Sequence, residues 1–269
     1  MKNFYLLILT FLALVFVGCD EVGTITPEMT YKEYIVVRSE LNAWKNFEGV
    51  SFTKTLSIDE PYDTSKAILR NVTAYLKIND LRIIPLHYYQ NGVYKPYGNV
   101  SIFPGDKFEL FALVDDTPIY GMTKIPQIPI VVNSSYSNKH IDVQVKSNPS
   151  EAYGAVWSIV NPADDRIIAT GDEFLSIVNS SYDISQQTTF VSTTDLPDQY
   201  TSETYKTLRC VKVFAFDEPY LKYFNTRNNN QPVSNAFVQG GDQVAWNVQG
   251  NNVIGLFIGV AESGYVKTN

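Results

Sequence analysis

Histidine and cysteine, the residues that most often carry metal ions and nucleophilic chemistry, are scarce in this chain of 269 residues. It has two of each: His87, His140, Cys19 and Cys210. The G-x-S-x-G turn of serine hydrolases and the H-E-x-x-H zinc motif are both absent. Each histidine lies in or beside an apolar stretch with the pattern of a strand, where a structural role is the ordinary one. We therefore expect no shared histidine metal site, no catalytic triad and no cofactor.

Runs of basic residues are also missing, since acidic residues outnumber basic ones by 28 to 21. This excludes the basic footprint of a nucleic-acid-binding protein and disfavours broad contact with anionic headgroups. Acidic residues recur as neighbouring pairs, among them Asp59-Glu60, Asp115-Asp116, Asp164-Asp165, Asp172-Glu173 and Asp217-Glu218. Neighbours on a turn point apart, so we expect solvated turns and helix caps rather than the facing carboxylates of a glycosidase. The spaced aspartate loop that binds calcium is absent.

The first 19 residues have the build of an export signal. A short positive start precedes an apolar run over residues 4–17, and Gly18-Cys19 closes it. The run is about 14 residues, shorter than the roughly 20 that span a bilayer, which leaves an uncleaved anchor helix as the lesser alternative. The segment resembles a bacterial lipoprotein signal. That resemblance implies a signal peptide over 1–18 and a lipid-modified Cys19 that anchors the protein to a membrane.

Residues 19–33 are polar and predict a flexible tether. Asp20 and Glu21, directly after the lipid site, resemble the acidic export signal of Bacteroidota surface lipoproteins. The alternative is a plain soluble spacer. We expect the protein at the outer membrane, on its periplasmic face or at the cell surface.

Cys210 cannot form an intramolecular disulfide if Cys19 is acylated, because no third cysteine exists. It lies in an alternating stretch, with Lys212 and Phe214 on the same face. We expect a buried, inert thiol, since free cysteine packs as a small hydrophobe. A reactive nucleophile is the alternative.

From residue 34 onward the pattern is mostly β, with period-two alternation and turn signals every 8–12 residues or so. Asn91-Gly92 is a strong hairpin signal. A strand is predicted over residues 204–216, followed by one helix that Asp217 is placed to cap. We predict an all-β fold of two consecutive β-sandwich-like units, over 34–126 and 127–269, with one short helix near the C-terminus.

Four tyrosines surround the predicted hairpin: Tyr88, Tyr89, Tyr94 and Tyr97. Tyrosine rings beside amide side chains can stack on sugars or grip a protein partner. The alternative is that cross-strand aromatic pairs only stabilise the hairpin. If the rings bind, changing Tyr94 and Tyr97 to serine should weaken capture and leave folding intact.

Several motifs together resemble a lipoprotein family of unknown function from Bacteroidota outer membranes. They lie at residues 35–41, 50–56, 71–76, 92–94, 103–110, 123–126, 220–223, 246–250 and 253–259. Asn71 departs from the glycine usual in the family. The resemblance implies an N-terminal Ig-like or transthyretin-like sandwich and a place beside TonB-dependent transporters. It offers no catalytic residues.

The leading hypothesis is therefore a lipid-anchored, non-enzymatic accessory or binding protein of an outer-membrane nutrient-uptake system. Rigid sandwiches suit binding through their surfaces and loops. A surface adhesin or fimbria-like subunit is the alternative, and it would need a detachable terminal strand. An exported hydrolase is the least supported class, because the residues it needs are scarce.

Overall fold

The computed structural model describes residues 31–57, 59, 61, 63–180, 187–227 and 244–268. The predicted signal peptide 1–18, the lipid site Cys19 and most of the tether lie outside these residues. Among the described elements, none of the helices is long and apolar enough to cross a membrane.

Alternating apolar and polar residues produce the expected strands, and the all-β fold is confirmed. The strands are β1 Ile35–Asn42, β2 Val50–Lys54, β3 Val72–Ile78, β4 Arg82–Gln90, β5 Val93–Lys95, β6 Lys107–Val114, β7 Thr117–Lys124, β8 Val131–Ser137, β9 His140–Lys146, β10 Glu151–Asn161, β11 Arg166–Thr170, β12 Val178–Asn179, β13 Thr188–Ser192, β14 Arg209–Asp217, β15 Val248–Gln249, β16 Val253–Glu262 and β17 Val266–Lys267. The helices are α1 Thr64–Ala67 and α2 Glu218–Thr226, with 3₁₀ turns at Asp198–Tyr200 and Glu203–Leu208.

Most described strands join one long sheet, in the order β11-β10-β14-β16-β1-β2-β5-β4-β3-β6-β7-β15. A smaller sheet has the order β13-β9-β8. The long sheet connects the two ends of the described chain, because β1 pairs in parallel with β16. Gly255 on β16 has φ +144°, and any Cβ there would collide with the carbonyl of Val37. Only glycine lets these two strands approach.

Two large hydrophobic cores lie between sheet layers. The first core is enclosed by the inner faces of β3, β6 and β7 on one side and of β1, β2 and β16 on the other. The second core lies between β10 and β14 and the smaller sheet. Phe257 and Ala261, on the same side of β16, belong to the first and second core respectively. The last long strand thus takes part in both cores, and the boundary predicted at residue 126 stays a prediction.

A third, smaller core forms on the opposite side of the long sheet. Helix α2 places Tyr220, Leu221 and Phe224 against Phe216 and Ile258 of the sheet. The helix is in the expected position, with Pro219 in its first turn.

Two details of this region differ from the sequence expectations. Asp217 makes no side-chain cap bond to α2; it is buried and accepts a hydrogen bond from Thr123 Oγ1. The acidic pair Asp217-Glu218 is therefore not wholly solvated. The strand predicted from residue 204 begins at Arg209, because the preceding residues form a 3₁₀ helix that ends with the Arg209 backbone amide donating to the Tyr205 carbonyl.

Cys210 is buried, as predicted, and burial raises the pKa of its thiol. A thiol that is both buried and protonated is a poor nucleophile. The structure therefore agrees with an inert packing role for this residue.

Candidate binding surfaces

The outer face of the sheet β4-β3-β6-β7 carries an exposed apolar surface, which we call the aromatic face. It is formed by Tyr75, Ile83, Pro85, Phe111, Leu113, Pro118, Tyr120 and Met122. These residues alternate along each strand with the inward side chains of the first core. Four strands side by side make the surface about 14 Å wide.

Three aromatic rings form the centre of the aromatic face. Strand register places Tyr75, Phe111 and Tyr120 in one cross-strand row. The rings of Tyr75 and Phe111 are stacked, with centroids 5.0 Å apart and an interplanar angle of 12°. The rings of Phe111 and Tyr120 lie 5.1 Å apart. Such contacts hold the rings in place, so the surface is preformed.

The composition of the aromatic face is unusual for a solvated sheet. An antiparallel sheet with one face on the core normally presents polar side chains on the other. Here Ile83 is 65% exposed, and Leu113 and Met122 are each 45% exposed. Contiguous exposed apolar surface of this kind marks an interaction site more often than an ordinary surface.

An ion-pair cluster lies within the aromatic face, because strand register places Lys77 and Glu109 in one row between Ile83 and Met122. The buried carboxylate of Glu109 accepts a 2.8 Å hydrogen bond from the Tyr120 hydroxyl. Its Oε2 lies 3.3 Å from Nζ of both Lys77 and Lys107. Lys77 also bonds Asp80 at 2.7 Å, and this bond raises the pKa of Lys77 and lowers that of Asp80. Burial, followed by the Glu109 bond, raises the pKa of Tyr120. The phenol therefore stays protonated and donates to Glu109.

The predicted tyrosine hairpin forms as expected around Asn91-Gly92, both of which have positive φ. Its exposed rings contact different neighbours. Tyr97, 90% exposed, stacks on His87 with ring centroids 3.8 Å apart. Tyr89, 60% exposed, lies beneath the Lys95 ammonium at 5.0 Å, and Tyr88 is 5.5 Å from the Tyr94 ring.

Tyr94 is a core residue, so the expectation that it presents its ring to a ligand is wrong. Its side chain is 1% exposed and packs edge-on against Phe52. Its hydroxyl accepts a hydrogen bond from the Val72 amide and donates one to the Leu69 carbonyl. Changing Tyr94 to serine would therefore damage folding. The structural interpretation holds for Tyr94, while Tyr88, Tyr89 and Tyr97 stay available as binding residues.

The two histidines have separate neighbours. His87 stacks on Tyr97, whereas the ring nitrogens of His140 lie 3.4 Å from Asp142 and 3.7 Å from Asp195. His140 is thus part of an acidic turn on the smaller sheet.

A groove of about 710 Å³ lies on the outer side of β1 and β16, which faces away from the first core here. Its floor is formed by β1 and β16, where Arg38 pairs with Leu256 and Glu40 pairs with Ile258. Tyr223 and Trp246, with ring centroids 5.2 Å apart, also line it. Aromatic, amide and charged groups converge on one space here, as in surfaces that bind polar ligands.

The aromatic face was missed at the level of sequence. Its signal was present: Tyr75, Phe111 and Leu113 occupy the positions that should be polar in alternating strands. Only the strand register shows that these exceptions lie side by side.

A scan of the chain against models of known protein families finds no match. A search of the curated proteins finds none either.

Proposed function

We propose that this protein is a lipid-anchored, non-enzymatic accessory protein of the outer membrane that binds a protein partner through its aromatic face. The lipid on Cys19 holds the chain at the membrane, and residues 19–33 act as the tether. The partner we propose is a TonB-dependent transporter of a nutrient-uptake system. This partner class comes from the family resemblance of the sequence motifs.

The observation that carries the proposal is the aromatic row of exposed Tyr75 and partly exposed Phe111 and Tyr120. Protein interfaces are enriched in aromatic residues and methionine at their centres and have a polar rim. The aromatic face carries aromatic residues and a methionine, and the ion pairs of Lys77, Lys107 and Glu109 lie beside its aromatic row. Preformed rings also lose little side-chain entropy on association.

The other two functional classes have less support. A hydrolase of the glycosidase type needs two carboxylates free to face a substrate. Glu151, the cross-strand neighbour of buried Asp217, already accepts three hydrogen bonds. A donor-strand subunit needs a terminal strand that can leave its sheet, whereas β1, the first described strand, lies between β16 and β2 in the long sheet.

The test begins with the anchor. Intact-mass analysis of the chain from membranes should give a mature protein that starts at Cys19 and carries acyl chains. Fractionation should place it in the outer membrane. An unmodified full-length chain in the soluble fraction would overturn the anchored part of the proposal.

The second arm tests the partner. Tagged protein is purified from solubilised outer membranes, and co-purifying proteins are identified for wild type, for Tyr75→Ser/Phe111→Ser and for the control Tyr89→Ser/Tyr97→Ser. We expect a TonB-dependent transporter with wild type and with the control, and its loss from the aromatic-face variant. Equal recovery with all three, or recovery only of the protein itself as a polymer, contradicts the proposal. Circular dichroism verifies that each variant is folded.

A further inference from the structure

A second concave site lies beside the aromatic face, with which it shares Met122. It is a cavity of about 610 Å³ between the end of β7, the start of β10 and the first turn of α2. Apolar residues form part of its wall, among them Ile125, Pro126, Pro149 and Pro219. Polar groups of β7, β10 and α2 form the rest.

Asp217 is the unusual group in this cavity. It is 6% exposed and lines the cavity from the end of β14. Its Oδ2 accepts a hydrogen bond from Thr123, whose Oγ1 in turn accepts the Gly259 amide at 2.7 Å. Its Oδ1 has no hydrogen-bond partner among the described residues. The Tyr220 amide faces this carboxylate from α2 without a bond of normal geometry.

A buried carboxylate with a free oxygen is costly in its ionised form unless a compensating group meets it. The neighbouring side chains do not supply a cation. Glu218 forms its ion pair with Lys222 at 3.0 Å. Glu151 accepts hydrogen bonds from the backbone amide of Gln127, the side-chain amide of Asn148 and the hydroxyl of Tyr153. Lys124 is exposed, and no ion pair connects it to Asp217 among the described residues. Three carboxylates against one lysine leave the cavity acidic.

We propose that this cavity binds a cationic amine or guanidinium on a short aliphatic stem, with the Asp217 carboxylate as its counter-ion. The cation would pair with the Asp217 carboxylate at the cavity wall, and the stem would pack on Ile125, Pro126 and Pro219. The cationic group belongs either to a small alkylamine or to a lysine or arginine side chain of another protein. The cation is proposed as a ligand different from the partner of the aromatic face, although Met122 lines both sites.

The proposal predicts how binding depends on pH. Burial raises the pKa of Asp217 to about 7, while Thr123 and the Tyr220 amide oppose the rise. The charged groups that face it are Lys124 on β7, Glu151 on β10 and Glu218 on α2. An amine keeps its charge over this range. Affinity should therefore increase from pH 5.5 to pH 8 by about 30-fold, as Asp217 ionises.

The test uses the full-length chain in detergent and isothermal titration calorimetry. The probes are n-pentylamine and N-acetyl-lysine amide, with 1-pentanol and N-acetyl-norleucine amide as uncharged controls. We expect the charged probes to bind and the controls to fail. Asp217→Asn should weaken binding by at least about tenfold and remove its pH dependence. Lys124→Met should retain both the binding affinity and its pH dependence.

A second variant protects the test if Asp217→Asn does not fold. Gln127 is exposed at the cavity wall, so Gln127→Trp should block the cavity with Asp217 intact. Binding of pentylamine alone assigns the site to small amines, and comparable binding of the lysine amide assigns it to a protein side chain. Absence of binding by both probes, or unchanged binding in both variants, overturns the proposal.

Discussion

The hydroxyl of Tyr94 provides a direct test of what stabilises the first core. It accepts a hydrogen bond of 3.0 Å from the Val72 amide and donates one of 3.1 Å to the Leu69 carbonyl. Tyr94→Phe removes the hydroxyl and keeps the ring against Phe52. The Val72 amide is then buried without a partner.

Leaving a buried backbone donor unsatisfied costs about 1–3 kcal/mol of folding free energy. We expect Tyr94→Phe to lower the free energy of unfolding by about 2 kcal/mol. For a domain of this size the corresponding fall in Tm is about 4–8 °C. Tyr97→Phe is the matched control, because Tyr97 is almost fully exposed.

The measurement is urea unfolding of wild type and both variants, followed by circular dichroism. A decrease in the free energy of unfolding of less than about 0.5 kcal/mol for Tyr94→Phe would show that the hydroxyl does not make stabilising buried hydrogen bonds, since changes of that size are typical of neutral surface substitutions. An equal loss for Tyr97→Phe would refute the distinction between the two tyrosines.

Three further predictions concern the described core. Gly255→Ala should lower the free energy of unfolding by about 1–3 kcal/mol or more, because Gly255 has a positive φ and the Val37 carbonyl leaves no room for a side chain. Calorimetry measures this change. Cys210 should react with a thiol reagent at least about 100-fold more slowly in the folded protein than in denaturant. Asp217 has a raised pKa, so the folded state holds its proton more tightly and stability falls as pH rises from 4 to 7. The free energy of unfolding of Asp217→Asn, relative to that of wild type, should therefore be about 2–4 kcal/mol higher at pH 8 than at pH 4. The same difference between the two proteins at both pH values would contradict this.

The fold could be predicted because its signals are local. Period-two alternation over β3 and β6 gives strands, and Asn91-Gly92 gives a hairpin with positive φ at both turn residues. The helix after Asp217 was also predictable from its proline and cap position. Each of these depends on residues near one another in sequence.

The parts that could not be predicted depend on residues far apart in sequence. The parallel pairing of β1 with β16 joins residues more than two hundred positions apart, and no local pattern encodes it. Register places Tyr75, Phe111 and Tyr120 in one row, which turns three separate exceptions to alternation into one surface. Asp217 looked like a helix cap until its partner, Thr123 of β7, was known.

The same reasoning explains the error at Tyr94. A cluster of tyrosines in sequence indicates an aromatic hairpin, but it does not show where each strand ends: Tyr94 lies in β5, whereas Tyr97 follows its last residue, Lys95. The structure places Tyr94 inside and Tyr97 outside. Composition alone cannot distinguish them.

The most direct test of the proposed function is site-specific photo-crosslinking in living cells. Benzoylphenylalanine replaces Ile83 on the aromatic face, and replaces Tyr97, which is still more exposed, as the control. We predict one discrete outer-membrane adduct from position 83 that Phe111→Ser abolishes, and no such adduct from position 97. The same adducts from both positions, or none from position 83, would contradict the account.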